Sequence, residues 1–236
     1  MLWPLERAAE IMRWYREFIT TASEEISGFF AFLIVPPGRP FPDHLHLKNM
    51  CGIVWCYAGA LDRAEEAFKP IHDSLRPELD LVGSMPHPML QTMFDGLFRP
   101  GLQWYWKADF FNELSDEAIS ARRARFKDLY PINGKAHQVA RSATPWSYRE
   151  AVWAEVIVGV DPEPANRERI ISWAKDYWEA LHPYSAGGAY LNFIMDEGED
   201  RVRASYRENY DRLVAIKNKY DPTNLFRVNQ NIKPSA

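Results

Sequence analysis

Apolar residues at Leu5, Ala8, Ile11, Met12, Tyr15, Phe18 and Ile19 recur at helical spacing and predict an amphipathic helix from Leu5 to about Ala22. The run Gly28–Pro36 (GFFAFLIVP) predicts a buried strand, and the proline-rich PPGRPFPDH after it a turn and loop. Asn49–Gly59 reads as a second strand. Ala60–Ser74 reads as a helix, with Asp62, Glu65 and Glu66 in the first turns, where the helix dipole favours negative charge. Leu79–Met85 predicts a strand, Pro88–Phe98 a short helix and the aromatic Gly101–Phe111 another strand. Ser115 opens a helix with an S-D-E capping signature that runs to about Asp128. Tyr130–Ala140 and Ala151–Val160 predict two further strands, with a turn at Asn133-Gly134 in the first. Asp161–Asn166 precedes a helix to about Leu181. Gly187-Gly188 then leads into a short strand, Ala189–Ile194, and a last long helix covers about Asp200–Tyr220, stopping before Asp221-Pro222.

Strands separated by helices are compatible with a parallel α/β sheet, but several strands here mix aromatic and polar residues, unlike the continuous aliphatic strands of parallel sheets. No glycine-rich strand-to-helix turn occurs either. The expected class is therefore α+β: an antiparallel sheet flanked by helices on one face, with a C-terminal helical segment.

Composition narrows the function. Across 236 residues, 28 Lys+Arg against 32 Asp+Glu give a net charge of −4, and 47% of residues are hydrophobic, which fits a globular chain with a large core. The pI of about 5.9 argues against a nucleic-acid binder. The one basic cluster, Arg122–Arg125, sits in the predicted helix as a solvated face. No apolar stretch approaches the ~20 residues that span a bilayer, so no membrane partner is expected. The charged, amphipathic N-terminus is no secretory signal. Cys51 and Cys56 are predicted on opposite faces of one strand and make no disulfide framework, which a reducing compartment or simple burial explains; with no signal recognised, the expected location is the cytoplasm.

Few residues suggest chemistry by pattern alone. His44 and His46 stand two apart, which on a strand would share a face, but no further ligand spacing accompanies them; exposed loop histidines are the expectation and no metal site is assigned. Tyr190 and Asn192 follow two glycines and, on a strand, would also share a face; the glycines would let the backbone approach something flat or bulky. Such a tyrosine is either a general base or simply the amide's hydrogen-bond partner. In VWAEVIVGV, Val152, Ala154, Val156, Val158 and Val160 alternate onto one face, and Trp153, Glu155, Ile157 and Gly159 onto the other. Glu155 is then either solvent-exposed or held in a pocket as a base or proton partner.

The stretch AYLNFIMDEGEDRVRASYRENYDRLVAIKNKYDPTNLFRVNQNIKP adds a specific signal. Its ordered pattern is Tyr190 and Asn192, then Tyr206, Asn209 and Tyr210, then Lys217, Lys219, Tyr220, Asp221-Pro222, Asn224, Phe226 and the closing Asn229–Ile232. It closely resembles the terminal segment of the berberine-bridge-enzyme-like FAD-linked oxidoreductases, which are vanillyl-alcohol-oxidase-type flavoproteins. Upstream, QWYWKADFFNELSDEAI and SATPWSYREAVWAEVIVGV resemble that family's substrate domain.

The resemblance implies a substrate-binding domain over residues 1–186, roofing a flavin, and a C-terminal segment over 187–236 that packs on a flavin domain to which nothing in this chain is similar. It implies FAD as cofactor, at a site incomplete in this chain, with a flavin-binding domain or subunit and a small organic molecule as partners. It carries a base role onto Tyr190, which would take a substrate hydroxyl proton as hydride passes to the flavin, and a flavin contact onto Asn192. Aligning Ala143-Thr144-Pro145 with the family's A-T-P segment puts Glu155 at the position of the tyrosine's charged partner, although the family's cation is here an anion. Ile157 stands where the family often has a polar active-site residue. Trp104, Trp106, Trp153 and Tyr148 are candidate pocket walls or aromatic core. The rival expectation is a non-catalytic module, truncated or dependent on a flavin-bearing partner, with an exposed apolar docking face.

Overall fold

The computed structural model describes residues 1–121 and 127–235. In chain order, a short strand β1 (Leu2–Pro4) precedes helix α1 (Ala8–Thr21), and strands β2 (Ile26–Ile34) and β3 (Asn49–Tyr57) precede helices α2 (Ala64–Ser74) and α3 (His87–Thr92). Strand β4 (Gln103–Phe111), helix α4 (Asp116–Ala121), strand β5 (Lys127–Pro131), the one-turn α5 (Lys135–Gln138) and strand β6 (Trp153–Asp161) follow. Helices α6 (Arg167–Leu181), α7 (Glu199–Tyr206) and α8 (Asn209–Tyr220) complete the chain.

All the paired strands are antiparallel, in the order β1-β3-β2-β5-β6-β4, so the architecture is the α+β one expected. Period-two alternation decides which side chains meet the helices. Phe30 and Phe32 on β2, Cys51, Ile53 and Trp55 on β3, Leu129 on β5, Phe111 on β4 and Trp153 on β6 join one buried cluster. It includes Ile11, Met12, Tyr15 and Ile19 of α1, Phe68 and Ile71 of α2, Ile119 of α4 and Leu181 of α6. At the far end of β6, a Cβ on Gly159 would stand 3.0 Å from the Ile170 carbonyl, so only glycine lets α6 lie that close to the sheet. The helices thus cover the face that carries Trp153, Glu155, Ile157 and Gly159.

Five local expectations are corrected. Leu79–Met85 forms no strand beyond one bridge from Leu2 to Leu79, and Leu81, Val82 and Met85 are exposed. The strand expected over Tyr130–Ala140 ends at Pro131, with Gly134 at φ 60° opening α5. The helix expected from Ser115 to about Asp128 is seen over Asp116–Ala121, and Lys127 and Asp128 already belong to β5; Arg122–Arg125 lie outside the described residues. Ala189–Ile194 is a 3-10 turn at Leu191–Phe193 rather than a strand. The last helix is two helices, broken at Arg207 (φ 48°), whose guanidinium lies 3.5 Å over the Tyr148 ring and pairs with Glu150. That tertiary anchor outweighs helix propensity.

Candidate functional site on the open face of the sheet

Among the described residues, the sheet's other face is covered by loops and single turns rather than by the long helices: Ala189–Ile194 lie over Ala108, and Ala136 of α5, Trp146 and Tyr148 over Phe110 and Ala154, which are buried. One cross-strand row runs Ala31, Asp128, Val156, Ala108 through β2, β5, β6 and β4. Its neighbours on this face are Phe29, Tyr130, Ala154, Val158, Trp104, Trp106 and Phe110, by the same alternation. Rings link up across it. Phe94 meets Phe29, which stacks on Tyr130 at 4.9 Å; Tyr130 meets Phe193 at 5.5 Å, Phe193 meets Tyr190 edge-on at 5.0 Å, and Tyr190 meets Trp146 at 6.3 Å. Trp146 stacks on Phe110. On the β4 side, Phe98 stacks on both Trp104 and Trp106.

The segment that brings Tyr190 here runs along the edge of β4. The Phe110 N–H donates to the Gly188 carbonyl at 2.8 Å and the Ala186 N–H to the Phe110 carbonyl at 2.6 Å. A Cβ on Gly188 would lie 2.2 Å from the Tyr148 hydroxyl, so the glycine lets the backbone approach the Tyr148 ring. The chain then turns under the face, and Ala189, Leu191, Phe193 and Ile194 pack with Ala108. Tyr190 is 41% exposed, and the Asn192 amide donates to its hydroxyl oxygen at 2.9 Å. The pair expected from the sequence therefore meets, through a turn rather than a strand. With the oxygen occupied as an acceptor, the phenol's proton-bearing side is directed away from Asn192.

Among the residues singled out from the sequence, Glu155 and Tyr190 are not brought together. Glu155 is 2% exposed on the helix-covered face, across from Asp109 and Leu129, and Tyr190 packs with rings of the other face. Trp153 shares Glu155's face and is 1% exposed, its ring 5.7 Å from Tyr15; it is core, not pocket wall. Tyr148 is buried beneath the C-terminal segment, donating to the Ala204 carbonyl at 3.0 Å and packing tilted against Phe110 with ring centroids 4.9 Å apart. Trp104 and Trp106 are half-buried and stay on the open face. His46 braces the proline-rich loop against Phe41 and Gly38, and His44 faces Glu78.

The sequence reading passed over a second polar pair on this face, Asp128 and Tyr130. Two apart on β5, they share the open face, and the Tyr130 hydroxyl donates to the Asp128 carboxylate at 3.1 Å. Burial pushes the Asp128 carboxyl up to about 6 against the opposing effect of that hydrogen bond, and burial and Asp128 together push the Tyr130 phenol up. Tyr130 is thus a donor near neutrality and Asp128 a carboxylate able to accept a proton there. The available signal was the D-x-Y spacing directly before a proline that ends a strand.

Comparison with known proteins adds to the geometry. Residues 189–233 match the family described as Berberine and berberine like. An FAD-linked oxidoreductase of Dictyostelium discoideum is 25% identical over 185 residues, covering 72% of this chain and 40% of that protein. The uncharacterized FAD-linked oxidoreductase YgaK of Bacillus subtilis is 26% identical over 190 residues, covering 75% and 42%. The berberine bridge enzyme of Eschscholzia californica shares the fold at TM-score 0.75 and 18% identity, over 100% of this chain and 54% of its own. The BBE-like 1 protein of Physcomitrella patens does so at TM-score 0.76 and 19% identity, over 99% and 53%. Residues 189–233 thus carry the Berberine and berberine like segment, and the chain as a whole is similar to FAD-linked oxidoreductases and shares the berberine-bridge-enzyme fold, spanning about two-fifths to one-half of the length of these relatives.

Proposed function

We propose that this chain forms the substrate side of an FAD-dependent oxidoreductase active site, roofing the flavin ring with its open face and oxidising a small organic alcohol. The observation that carries the reading is the Tyr190–Asn192 pair, hydrogen-bonded and accessible at the margin of the aromatic face. A flat, largely apolar ring system suits that face, and Asn192 is the amide placed to hydrogen-bond it. The dinucleotide's pyrophosphate needs a cradle of backbone N–H groups or cations. We assign that cradle to a flavin-holding domain, of this protein or of a partner subunit. Tyr220, Leu225, Phe226 and Val228, exposed by 73–81%, offer apolar surface for it to dock on.

Bound FAD supplies the hydride acceptor. The protein's own part is to orient the substrate and move its hydroxyl proton. Trp104, Trp106 and Phe98 flank the face on the β4 side and hold an apolar substrate body. The Tyr190 oxygen takes the substrate's hydroxyl proton as the C–H bond is broken while the phenol's own proton passes on to an acceptor on the face, with the Asn192 amide donating to that oxygen throughout. Asp128, with Tyr130, takes the acceptor role on this face that the sequence had given to Glu155. General-base help of this kind contributes roughly 10²–10⁴-fold. In the flavin-loaded protein, Tyr190→Phe is expected to lower kcat by about that factor while FAD binding is unchanged. Turnover within a few-fold of the parent would remove Tyr190 from the mechanism.

A further inference from the structure

The turn that carries Tyr190 and Asn192 is seated on Ala108 by Ala189 and Ile194, but the two functional side chains themselves are exposed, and the chain on either side of the turn is tied down by charge. Strand β4 carries two charged residues on its helix-facing side, Lys107 and Asp109, 7% and 3% exposed. Each reaches one end of the segment that holds the turn. Lys107 Nζ donates to Glu197 Oε2 at 2.5 Å, beyond the turn. Asp109 Oδ1 accepts from Arg201 Nη2 at 2.5 Å, and the same guanidinium donates to the Ala108 carbonyl at 2.6 Å and to the Gly187 carbonyl at 3.0 Å, just before the turn. His182 Nδ1 lies 2.8 Å from the other oxygen of Asp109. The Trp178 ring backs the group, with Lys107 Nζ 4.0 Å from its centroid. The side chains of Lys107, Asp109, Glu197 and Arg201 are 2–11% exposed. Charges this buried bind strongly only while paired, so losing one partner leaves the other costly.

We propose that Lys107, Asp109, Glu197 and Arg201 are positioning residues: a buried two-pair clamp, working from the helix side of the edge strand, that holds the turn bearing Tyr190 and Asn192 in place on the opposite side. None of the four touches the open face. The clamp accounts for how a partly exposed turn presents a phenol in one orientation, as a preorganised site requires. It gives a role to the K-A-D spacing in β4, since residues two apart share the face on which Glu197 and Arg201 arrive. Its catalytic meaning rests on the reading of Tyr190 above, but its structural signature does not.

Amide hydrogen exchange on the 236-residue chain tests it. In Arg201→Gln and in Lys107→Met, peptides covering 189–194 are expected to exchange at least ~10-fold faster, with peptides of β2 and β3 unchanged, because only the local opening equilibrium shifts. The milder Arg201→Lys, which keeps the charge, should recover part of the protection. The double variant Lys107→Met/Glu197→Leu, which replaces one pair by apolar groups but also removes the Glu197 Oε2 that lies 3.6 Å from Arg201 Nε, should recover part of it. Unchanged exchange at 189–194, or equal acceleration throughout the chain, would overturn the clamp. In the flavin-loaded enzyme, Arg201→Lys should lower kcat more than it raises KM. Should Tyr190→Phe prove fully active, the exchange result would still decide the clamp on its own.

Discussion

Asp128→Asn isolates the electrostatics of the open face. In the parent, the carboxyl titrates near its ordinary 3.8 when unfolded and at about 6 when folded, chiefly because burial penalises the charged form. The folded state therefore binds more protons between those values, and stability falls as pH rises from about 4 to about 6, then levels off. The interval corresponds to about 3 kcal/mol once the group is fully ionised. Asparagine has nearly the same shape, and its carbonyl still accepts from the Tyr130 hydroxyl, but it never ionises. The variant should match the parent at pH 4 and be about 3 kcal/mol more stable at pH 7.5, since the folded value of about 6 already includes the Tyr130 hydrogen bond, a gain of roughly 6–12 °C in Tm for a chain of this size. Urea unfolding at several pH values, followed by the fluorescence of the nine tryptophans, reads this directly. A stability difference independent of pH between 4 and 7.5, or a variant less stable at pH 7.5, would refute the placement of Asp128 in a desolvated site.

Two further substitutions probe the frame around the site. Trp153→Ala opens a cavity beside Tyr15 in the main core and should cost about 3–5 kcal/mol in chemical unfolding; a loss below 1 kcal/mol would return Trp153 to the pocket. Asn209→Ala removes an amide, 4% exposed, that donates to the Arg141 and Thr144 carbonyls and to Ser147 Oγ, and should cost about 2–3 kcal/mol in the same assay.

The parts of this fold visible in the sequence were those set by local periodicity. The β2, β3, β4 and β6 strands and the α1, α2 and α6 helices lie where apolar spacing put them, and the two faces of β6 were separated correctly. Alternation sorts residues into two sets but does not say which set meets helices. That is why Glu155 and Trp153 were taken for site residues when they belong beneath α1 and α6. Asp128 was lost because the capping signature at Ser115 and a run of charges extended the helix over it, and only pairing with Phe30–Phe32 and Trp153–Ile157 makes that stretch a strand. The turn at Tyr190 and the break at Arg207 were hidden for a related reason. Both depend on contacts across more than 50 residues, with Phe110, Tyr148 and Glu150, which no local pattern carries.

The central claim is that the open face lies against a flavin. The most direct measurement is a titration of FAD into the purified chain, alone and mixed with a flavin-holding domain from a relative, following the visible flavin spectrum and tryptophan fluorescence. The account predicts saturable, one-to-one perturbation of the flavin spectrum in the mixture, with quenching of fluorescence from Trp104, Trp106 and Trp146, which border the face. A flavin spectrum and tryptophan emission that the chain leaves unchanged under both conditions would contradict it.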